Sequence, residues 1–324
     1  MAGLEQGNQT LITEFVFRGF GDVYDLQTLL FLLFLMIYIL TLVGNAVILA
    51  LVVTEHCLRT PMYFFLGNLS FLEICYTSTI LPRMLASLLN KENGISLNGC
   101  FFQFYAFGSF ACSECYLLSA MSYDRFLAIC KPLHYGGLMN SKVCIQLAAW
   151  PWVIGFVANA FTSFLASQLT FCGSNKIDHF FCDYTPLLVL SCSETHTTET
   201  AMSIVATVCT VPPFLLTVTS YICIIATILK IPSTTGRKKA FSTCSSHLIV
   251  VIMFYGALMT VYLLPKNDVL KDLNKLFSLF YTVLTPLLNP LIYSLRNKDF
   301  RVALSKSVNK HMPLLRVQII RTLF

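Results

Sequence analysis

The chain has 324 residues, of which 56% are hydrophobic and 12% are charged, and its mean hydropathy is +0.70. Soluble domains carry about 25% charged residues, so this composition excludes a soluble enzyme or binding domain. The net charge of +6 does not indicate nucleic-acid binding, because in a membrane protein the side of the bilayer on which basic residues lie decides their role. We expect an integral membrane protein that contacts lipid and no nucleic acid.

Seven apolar segments follow one another, each long enough for a helix to cross a hydrocarbon core of about 30 Å. They cover 26–53, 60–88, 98–130, 142–166, 199–230, 240–264 and 272–295. Spans of this length favour helices over the short alternating strands of a β-barrel. The sequence therefore predicts an all-α membrane protein, a seven-transmembrane helix bundle whose two termini lie on opposite sides. No cleavable signal peptide is expected, because residues 1–10 are polar and the first apolar run is too long.

The basic residues predict the orientation of these spans. Most of the 22 Lys and Arg residues fall on the inner side if the N-terminus is outside the cell, as the positive-inside rule requires. Asn8 begins an N-glycosylation sequon, which needs the same orientation. We expect an extracellular N-terminus over 1–25, a membrane domain over 26–295 and a cytoplasmic tail over 296–324. Residues 297–310 fit a short amphipathic helix on the inner membrane surface, and a disordered basic tail fits their composition equally well.

Ionisable residues occur inside the third predicted span. Asp124 and Arg125 lie near its inner end, where lipid cannot solvate a guanidinium. Such an Arg either anchors a helix end at the interface or is neutralised by an acid as part of a functional element. Glu114 lies three helical turns before Arg125 and on the same face. Its cost in lipid calls for a partner.

The outer half of the third span carries an apolar stripe at helical spacing. Its members are Phe104, Phe107, Gly108, Ala111, Cys112 and Cys115. Such a stripe is more often core than pocket, so periodicity alone leaves a ligand site open.

Four cysteines lie on the outer side, where disulfides form: Cys100, Cys172, Cys182 and Cys192. Three pairings are possible for four cysteines. His179 and Cys182 are soft-metal ligands in principle, but an oxidised cysteine has no thiolate to offer. We expect no metal site and no cofactor.

Six short motifs occur in order along the chain. They are Gly44-Asn45, Pro61–Leu66 (PMYFFL), Met121–Cys130 (MSYDRFLAIC), Ser220-Tyr221, Lys239–Leu248 (KAFSTCSSHL) and Pro286–Asn297 (PLLNPLIYSLRN). With them the chain resembles, over nearly its whole length, a rhodopsin-like G-protein-coupled receptor, and specifically a vertebrate olfactory (odorant) receptor. Phe126 departs from the family pattern, which usually has Tyr there.

The resemblance implies a receptor, not an enzyme, at the plasma membrane of olfactory cilia. It implies an odorant site between the outer halves of the third, fifth, sixth and seventh helices. To the residues Phe104, Phe107, Gly108, Ala111 and Cys112 it adds Met202, Val205, Ala206, Cys209, Tyr255, Leu258, Met259, Tyr262 and Leu279. None of these is charged, so we expect a small, neutral, mostly apolar volatile ligand. The implied disulfides are Cys100–Cys182 and Cys172–Cys192.

The resemblance also implies a switch at the inner side. Released from Asp124, Arg125 would contact a stimulatory Gα subunit and raise cyclic AMP. Tyr221 and Tyr293 would hold the open state, together with Asn289 and Pro290 of the last motif. Phe254-Tyr255-Gly256 stands where most rhodopsin-like receptors have a Trp, which gives a switch role to Tyr255. Taken alone, each Tyr is as readily a packed aromatic side chain.

Family analogy makes Glu73 the neighbour of Glu114, with Asn45 and Asn289 close by. Two acids that share a site either bind a cation or proton or form a structural hydrogen-bonded cluster. An ion- or proton-coupled carrier that uses this pair is the alternative function, although the chain has no internal duplication of the kind that transporters show.

Overall fold

The structure is a computed structural model that describes residues 12–19, 26–89, 94–172, 174–263, 271–296 and 298–311. In chain order its helices are α1 (Gln27–Thr54), α2 (Pro61–Leu89), α3 (Leu97–Cys130), α4 (Tyr135–Leu138), α5 (Ser141–Ser167), α6 (Tyr184–Leu190), α7 (His196–Leu229), α8 (Thr234–Leu263), α9 (Lys271–Leu279), α10 (Thr285–Arg296) and α11 (Lys298–His311). The seven predicted spans correspond to α1, α2, α3, α5, α7, α8 and the segment from α9 to α10. Asn8 lies outside the described residues.

The seven-helix prediction is confirmed, with most boundaries within three residues of those expected. Within the described ranges, five helical segments are long and apolar enough to cross a membrane by length and composition. The other two long helices, α3 and α8, carry more polar side chains. Helix α8 begins at Thr234, six residues earlier than predicted, because its first turns are polar and a hydropathy pattern does not detect them.

Helix α3 is the centre of the bundle and packs against α2, α5, α7 and α8. Its first turn is capped by Ser96, whose Oγ accepts the backbone N–H of Gly99 at 3.1 Å. Helix α5 approaches it most closely, because a Cβ on Gly155 would lie 2.4 Å from the backbone oxygen of Ser109. The residues along α3 are therefore positioned by neighbours on almost every side.

The seventh span is not one regular α-helix. Between α9 and α10, residues Phe280–Leu284 form a π-helical turn. Pro286 follows it, and a proline removes one backbone N–H and crowds the carbonyl four residues earlier. The Thr285 hydroxyl donates to the backbone oxygen of Phe280 at 3.0 Å and satisfies one carbonyl of the widened turn.

A small sheet covers the outer end of the bundle. Strand β1 (Glu14–Phe17) pairs antiparallel with β2 (Ile95–Ser96) and parallel with β3 (Lys176–Ile177). The disulfides Cys100–Cys182 and Cys172–Cys192 fix the loop that contains β3 and α6. The N-terminal segment and both outer loops thus form one braced cap.

The predicted amphipathic helix of the tail is present as α11. Phe300 and Ala303 are buried against the bundle, while Val302 is exposed. Lys306 lies 3.4 Å from a carboxylate oxygen of Glu55 at the end of α1. Of the two alternatives for residues 297–310, the structure therefore supports the helix.

Candidate functional site

A cavity of about 370 Å³ lies in the outer half of the bundle, between α3, α5, α7 and α8 and under the loop that carries α6. Small-molecule sites typically enclose about 300–1,000 Å³. Most of the predicted ligand residues line it: Phe104, Phe107, Gly108, Ala111, Cys112, Met202, Val205, Ala206, Cys209, Leu258 and Met259. The cavity has the size and the apolar wall of a site for a small molecule.

The α3 stripe is both core and cavity wall. Phe107 lines the cavity, and its ring also packs against Phe181 of the outer loop, with centroids 4.7 Å apart, and against Tyr76 of α2 at 5.7 Å. Phe104 and Cys112 are almost fully buried beside it. This packing on both sides holds the wall in one geometry, so a ligand meets a preformed surface.

Sulfur atoms form much of the deeper wall. The thiols of Cys112 on α3 and Cys209 on α7 are hydrogen-bonded to each other, and neither cysteine is in a disulfide. Cys115, Met202 and Met259 also line the cavity. Thioethers and thiols are polarisable and adapt to differently shaped apolar partners.

Three predicted ligand residues stand apart from this wall. Tyr255 is buried under the floor, where its hydroxyl donates to the backbone oxygen of Cys115 at 2.8 Å. Leu279 packs against the main core and does not line the cavity. The side chain of Tyr262 lies outside the described residues. Among the described residues, the seventh span therefore contributes nothing to the wall, contrary to the expected arrangement.

Helix α5 takes the place expected for the seventh span. The wall residues that sequence reasoning missed are Asn159, Thr162, Asp183, Tyr184, Thr185, Ser203, Thr207, Thr210, Val211 and Val261. A Cβ on Gly108 would lie 2.3 Å from Oδ1 of Asn159, so α3 and α5 touch at this level. Asn159 is a polar residue inside an apolar span, and this feature of the sequence could have indicated a contact with another helix.

One missed residue corrects the expectation of an uncharged wall. Asp183 lines the cavity and is 4% exposed. Its carboxylate caps α6, accepting the backbone N–H of Tyr184 at 2.8 Å. A helix N-terminus favours such a negative charge. The carboxylate is therefore already engaged by the protein.

Directly inward of the cavity lie two buried acids. Glu73 on α2 and Glu114 on α3 are fully buried, and their carboxyl groups interact electrostatically. Asn289 donates a hydrogen bond to Oε1 of Glu73. In the described part of the chain, Oε2 of Glu73 and both oxygens of Glu114 have no hydrogen-bond partner. Asn45 donates to the backbone oxygens of Thr41 and Pro286, at 3.0 and 3.2 Å.

The inner end of α3 carries the acid and base of the MSYDRFLAIC motif. Arg125 forms an ion pair with Asp124 through Nε, at 3.0 Å, and through a terminal nitrogen. The hydroxyl of Tyr135 on α4 donates to the other oxygen of Asp124 at 2.7 Å. Asp124 is buried while the Arg125 side chain keeps 12% exposure, so the base is the group nearest to the inner surface.

Four further side chains lie toward this inner end. The Tyr221 hydroxyl on α7 lies 2.7 Å from Nδ1 of His247 on α8. This hydrogen bond joins α7 to α8 at the inner end of the bundle. Tyr293 on α10 is buried and its hydroxyl has no hydrogen-bond partner in the described residues. Pro290 of the same helix packs against α1, where a Cβ on Gly44 would lie 3.1 Å from the proline ring.

A family model described as "Olfactory receptor" matches residues 34–311 of this chain. The chain belongs to the olfactory receptor family. Olfactory receptor 6F1 of Homo sapiens is 50% identical over 303 residues, which cover 94% of this chain and 98% of the relative. Olfactory receptor 5AP2 of Mus musculus is 46% identical over 310 residues, with 96% and 98% covered. Olfactory receptor 11L1 of Homo sapiens is 46% identical over 312 residues, with 96% and 97% covered.

Family membership establishes the broad role of this olfactory receptor. It is a G-protein-coupled receptor and not an enzyme, and it is a multi-pass protein of the plasma membrane. Its partners are a small ligand and a G protein. The cavity lies in the outer half of the bundle, and the Asp124–Arg125 ion pair lies at its inner end.

The outer cap of the receptor contains a buried histidine. His179 follows β3 and packs its ring on Phe180 and Phe181. Burial, assisted by the positive charge of Lys275, lowers the pKa of His179 to about 3, so the imidazole is neutral. Lys275 of α9 donates to Asp178 at 2.7 Å, and this bond lowers the pKa of the Asp178 carboxyl. Cys182 is in a disulfide and offers no thiolate beside His179.

Proposed function

We propose that this receptor binds a small, neutral, mostly apolar volatile compound in the cavity and then activates a stimulatory heterotrimeric G protein, which raises cyclic AMP. One observation carries the proposal. Helix α3 lines the cavity with residues from Phe104 to Cys115 and, about three turns further in, carries the Asp124–Arg125 ion pair. A single packed helix thus connects the ligand to the coupling surface.

The chemistry of the wall supports a neutral ligand. A charged ligand would have to leave water without a counter-ion, which is costly in an apolar cavity. Asp183 is the charged wall residue, and its carboxylate already caps α6. Asn159 and Thr162 bring polar groups to the wall, which suits a ligand with one carbonyl or hydroxyl group.

Coupling would proceed through the floor and the inner end. Tyr255 links α8 to the backbone of α3 directly beneath the cavity. A ligand that shifts α3 or α8 would disturb this bond. At the inner end, separation of Arg125 from Asp124 would present a guanidinium to the G protein, with Tyr221, Tyr293, Asn289 and Pro290 as the residues that rearrange. Only a ligand with different affinities for the closed and open states can shift this balance.

The ligand site is tested by filling the cavity. Ala111→Leu and Ala206→Leu each add a bulky side chain to the wall, whereas Ala160→Leu adds the same group on the lipid-facing side of α5. In a cyclic-AMP assay with an odorant panel, we expect the two wall variants to raise the half-maximal concentration of an active odorant at least about tenfold, a loss of about 1.4 kcal/mol. Gly108 is unsuited to this test, because a Cβ there collides with Asn159.

The proposal fails if both wall variants respond as the unsubstituted receptor does at equal surface expression. It also fails if an odorant response persists in cells that lack the stimulatory Gα subunit. Ala160→Leu must respond normally, because that substitution leaves the cavity unchanged.

We further propose that Glu73 and Glu114 form a cation or proton site, since three of their buried oxygens have no hydrogen-bond partner within the described ranges. Asn45 would support it only indirectly, because it bonds backbone oxygens. Sodium should raise the thermal stability of the purified receptor relative to potassium at equal ionic strength, and Glu114→Gln should abolish the difference. If the two salts act alike on the unsubstituted receptor, the pair binds no sodium.

A further inference from the structure

Helix α7 lines the cavity with more than one of its faces. Met202, Val205 and Cys209 lie on the side turned toward α3. Ser203 and Thr207 also line the cavity, yet both are exposed on the outside of the bundle. At helical spacing these two residues lie on a face turned well away from the first three. The cavity therefore extends past α7 to the surface that faces lipid.

A second depression lies along the outside of α7 and meets the cavity there. It encloses about 480 Å³ and is lined by His196, Glu199, Thr200, Ser203, Ile204, Thr207 and Val208. Ser203 and Thr207 belong to both linings. The depression thus runs from the outer end of α7 down to the opening of the cavity.

The chemistry of this depression changes with depth. His196 and Glu199 lie at its outer end, where the polar headgroups of a bilayer are found. Deeper in, Ile204 and Val208 are 59% and 50% exposed. An amphiphilic small molecule would find a polar upper region and an apolar lower region, in the same order as in the surrounding lipid.

The hydroxyl groups that line the opening are already hydrogen-bonded within the protein. The Thr207 hydroxyl donates a hydrogen bond to the backbone oxygen of Ser203 at 2.7 Å. The Ser203 hydroxyl is hydrogen-bonded to the side chain of Tyr184. Hydroxyl groups already satisfied within the protein need not lose water as an apolar molecule passes. On the other side of the cleft, α8 contributes Leu258, Met259 and Val261 to the cavity.

The aqueous side is covered by the cap. The loop residues Phe180 and Phe181 are buried, the Cys100–Cys182 disulfide ties this loop to α3, and the Asp178–Lys275 ion pair ties it to α9. Strand β1 lies over the same loop. Within the described residues, a route through the cap would require several of these contacts to open together.

We propose that apolar ligands reach the cavity from the bilayer, through the cleft at Ser203 and Thr207 on the side of α7 that is turned toward α8. The inference rests on the proposed ligand site and adds the route to it. Because apolar molecules concentrate in lipid, this route favours ligands that partition into the membrane over equally well-fitting ligands that remain in water.

The route is tested with the native thiols of the cavity, so no odorant is needed. The full-length receptor in lipid nanodiscs is treated with benzyl methanethiosulfonate, which is neutral and apolar, or with its trimethylammonium-ethyl analogue, which carries a permanent charge. Modification of Cys112, Cys115 and Cys209 is followed over time by peptide mass spectrometry. We expect the benzyl reagent to modify these thiols and the charged reagent to react at least about tenfold more slowly.

Two kinds of variant separate the routes. Thr207→Trp, and independently Ser203→Leu, obstruct the cleft and should slow the benzyl reaction, the tryptophan by about tenfold. Leu216→Trp is the matched control, because Leu216 is 60% exposed on the same helix away from both depressions. Lys275→Ala loosens the cap and should leave the rates unchanged. Exposed Cys57 at the inner side reports folding and reagent supply.

The proposal is overturned if neither cleft variant slows the benzyl reaction while Cys57 reacts normally. It is equally overturned if the cavity thiols of the unsubstituted receptor do not react, if the charged reagent reacts as fast, or if Lys275→Ala accelerates the reaction. None of these results bears on the ligand site itself, which is tested by the equilibrium odorant response of Ala111→Leu and Ala206→Leu.

Discussion

The outer and inner halves of the bundle are built from different chemistry. The outer half encloses a cavity whose wall is largely aromatic, aliphatic and sulfur-containing, under a cap braced by two disulfides. The inner half carries the Asp124–Arg125 ion pair on α3 and the Tyr221–His247 hydrogen bond between α7 and α8. Under the proposed function, recognition would depend on shape and dispersion contacts, whereas the change of state would depend on a few polar contacts.

This division suits a receptor for varied apolar ligands. Dispersion contacts are individually weak and tolerate exchange of one apolar group for another, so the outer half can be altered with modest effects. A buried charge whose partner is removed costs several kcal/mol, so substitutions at Asp124 or Arg125 should have large effects. Loss of a polar contact at the inner end is therefore expected to have a larger effect than loss of one apolar contact in the outer wall.

The largest expected effect is at the ion pair. Arg125→Ala should abolish the odorant-driven cyclic-AMP response, because the cation offered to the G protein is lost. Asp124→Asn keeps an acceptor for Tyr135 but removes the charge that holds Arg125, so basal cyclic AMP should rise. Both are measured at equal surface expression. A normal odorant response in Arg125→Ala would refute the division of roles between the two halves.

The next effect concerns the braces of the cap. Cys100–Cys182 closes 82 residues of chain and Cys172–Cys192 closes 20. Loop-closure entropy gives stabilisations of about 4.5 and about 3 kcal/mol, respectively. The double variant Cys100→Ser/Cys182→Ser should therefore lower the thermal midpoint and surface expression more than Cys172→Ser/Cys192→Ser. The opposite order would mean that the second bridge, not the first, determines the shape of the cap.

The sequence predicted the spans well, and the physical reason is the bilayer. Lipid forces each crossing segment to be apolar and about 20 residues long, so hydropathy alone located α1, α2 and α5 within one residue. Helical periodicity identified the apolar stripe on α3. The position of Asn159 in the cavity wall was not predicted, because helical periodicity identifies the buried face of a helix but not the helix that packs against that face. Asp183 and the Tyr221–His247 contact depend on loop path and helix rotation, which local pattern does not encode.

A smaller effect is expected from pH on the cap. The pKa of His179 is lowered by burial to about 3, from an ordinary value of 6.5. As pH falls below 6.5 the unfolded chain takes up a proton that the folded cap excludes, so stability is lost. Between pH 7 and 5 the loss is about 2 kcal/mol. Asp178 adds nothing in this window, because its pKa is lowered from an already acidic 3.8.

The measurement is the thermal midpoint at pH 7 and pH 5. His179→Gln should reduce its fall on acidification, whereas His134→Gln, at an exposed position of the inner loop, should not. An unchanged pH dependence in His179→Gln would show that this imidazole does not cause the loss of stability on acidification.

The smallest expected effect is at Phe126, which follows Arg125. Phe126 packs on Tyr123, with centroids 6.3 Å apart, and against the buried cluster of Tyr221, Ile224, Ile228 and Cys244. Phe126→Tyr would bring a hydroxyl into this apolar contact at a cost of about 1 kcal/mol to the closed state. Basal cyclic AMP should then rise about fivefold, while Phe161→Tyr on the lipid-facing surface changes nothing. A fall in basal signalling would mean that the new hydroxyl gains a hydrogen-bond partner in the closed state. The closed state would then depend on a polar contact in addition to the ion pair and the Tyr221–His247 hydrogen bond.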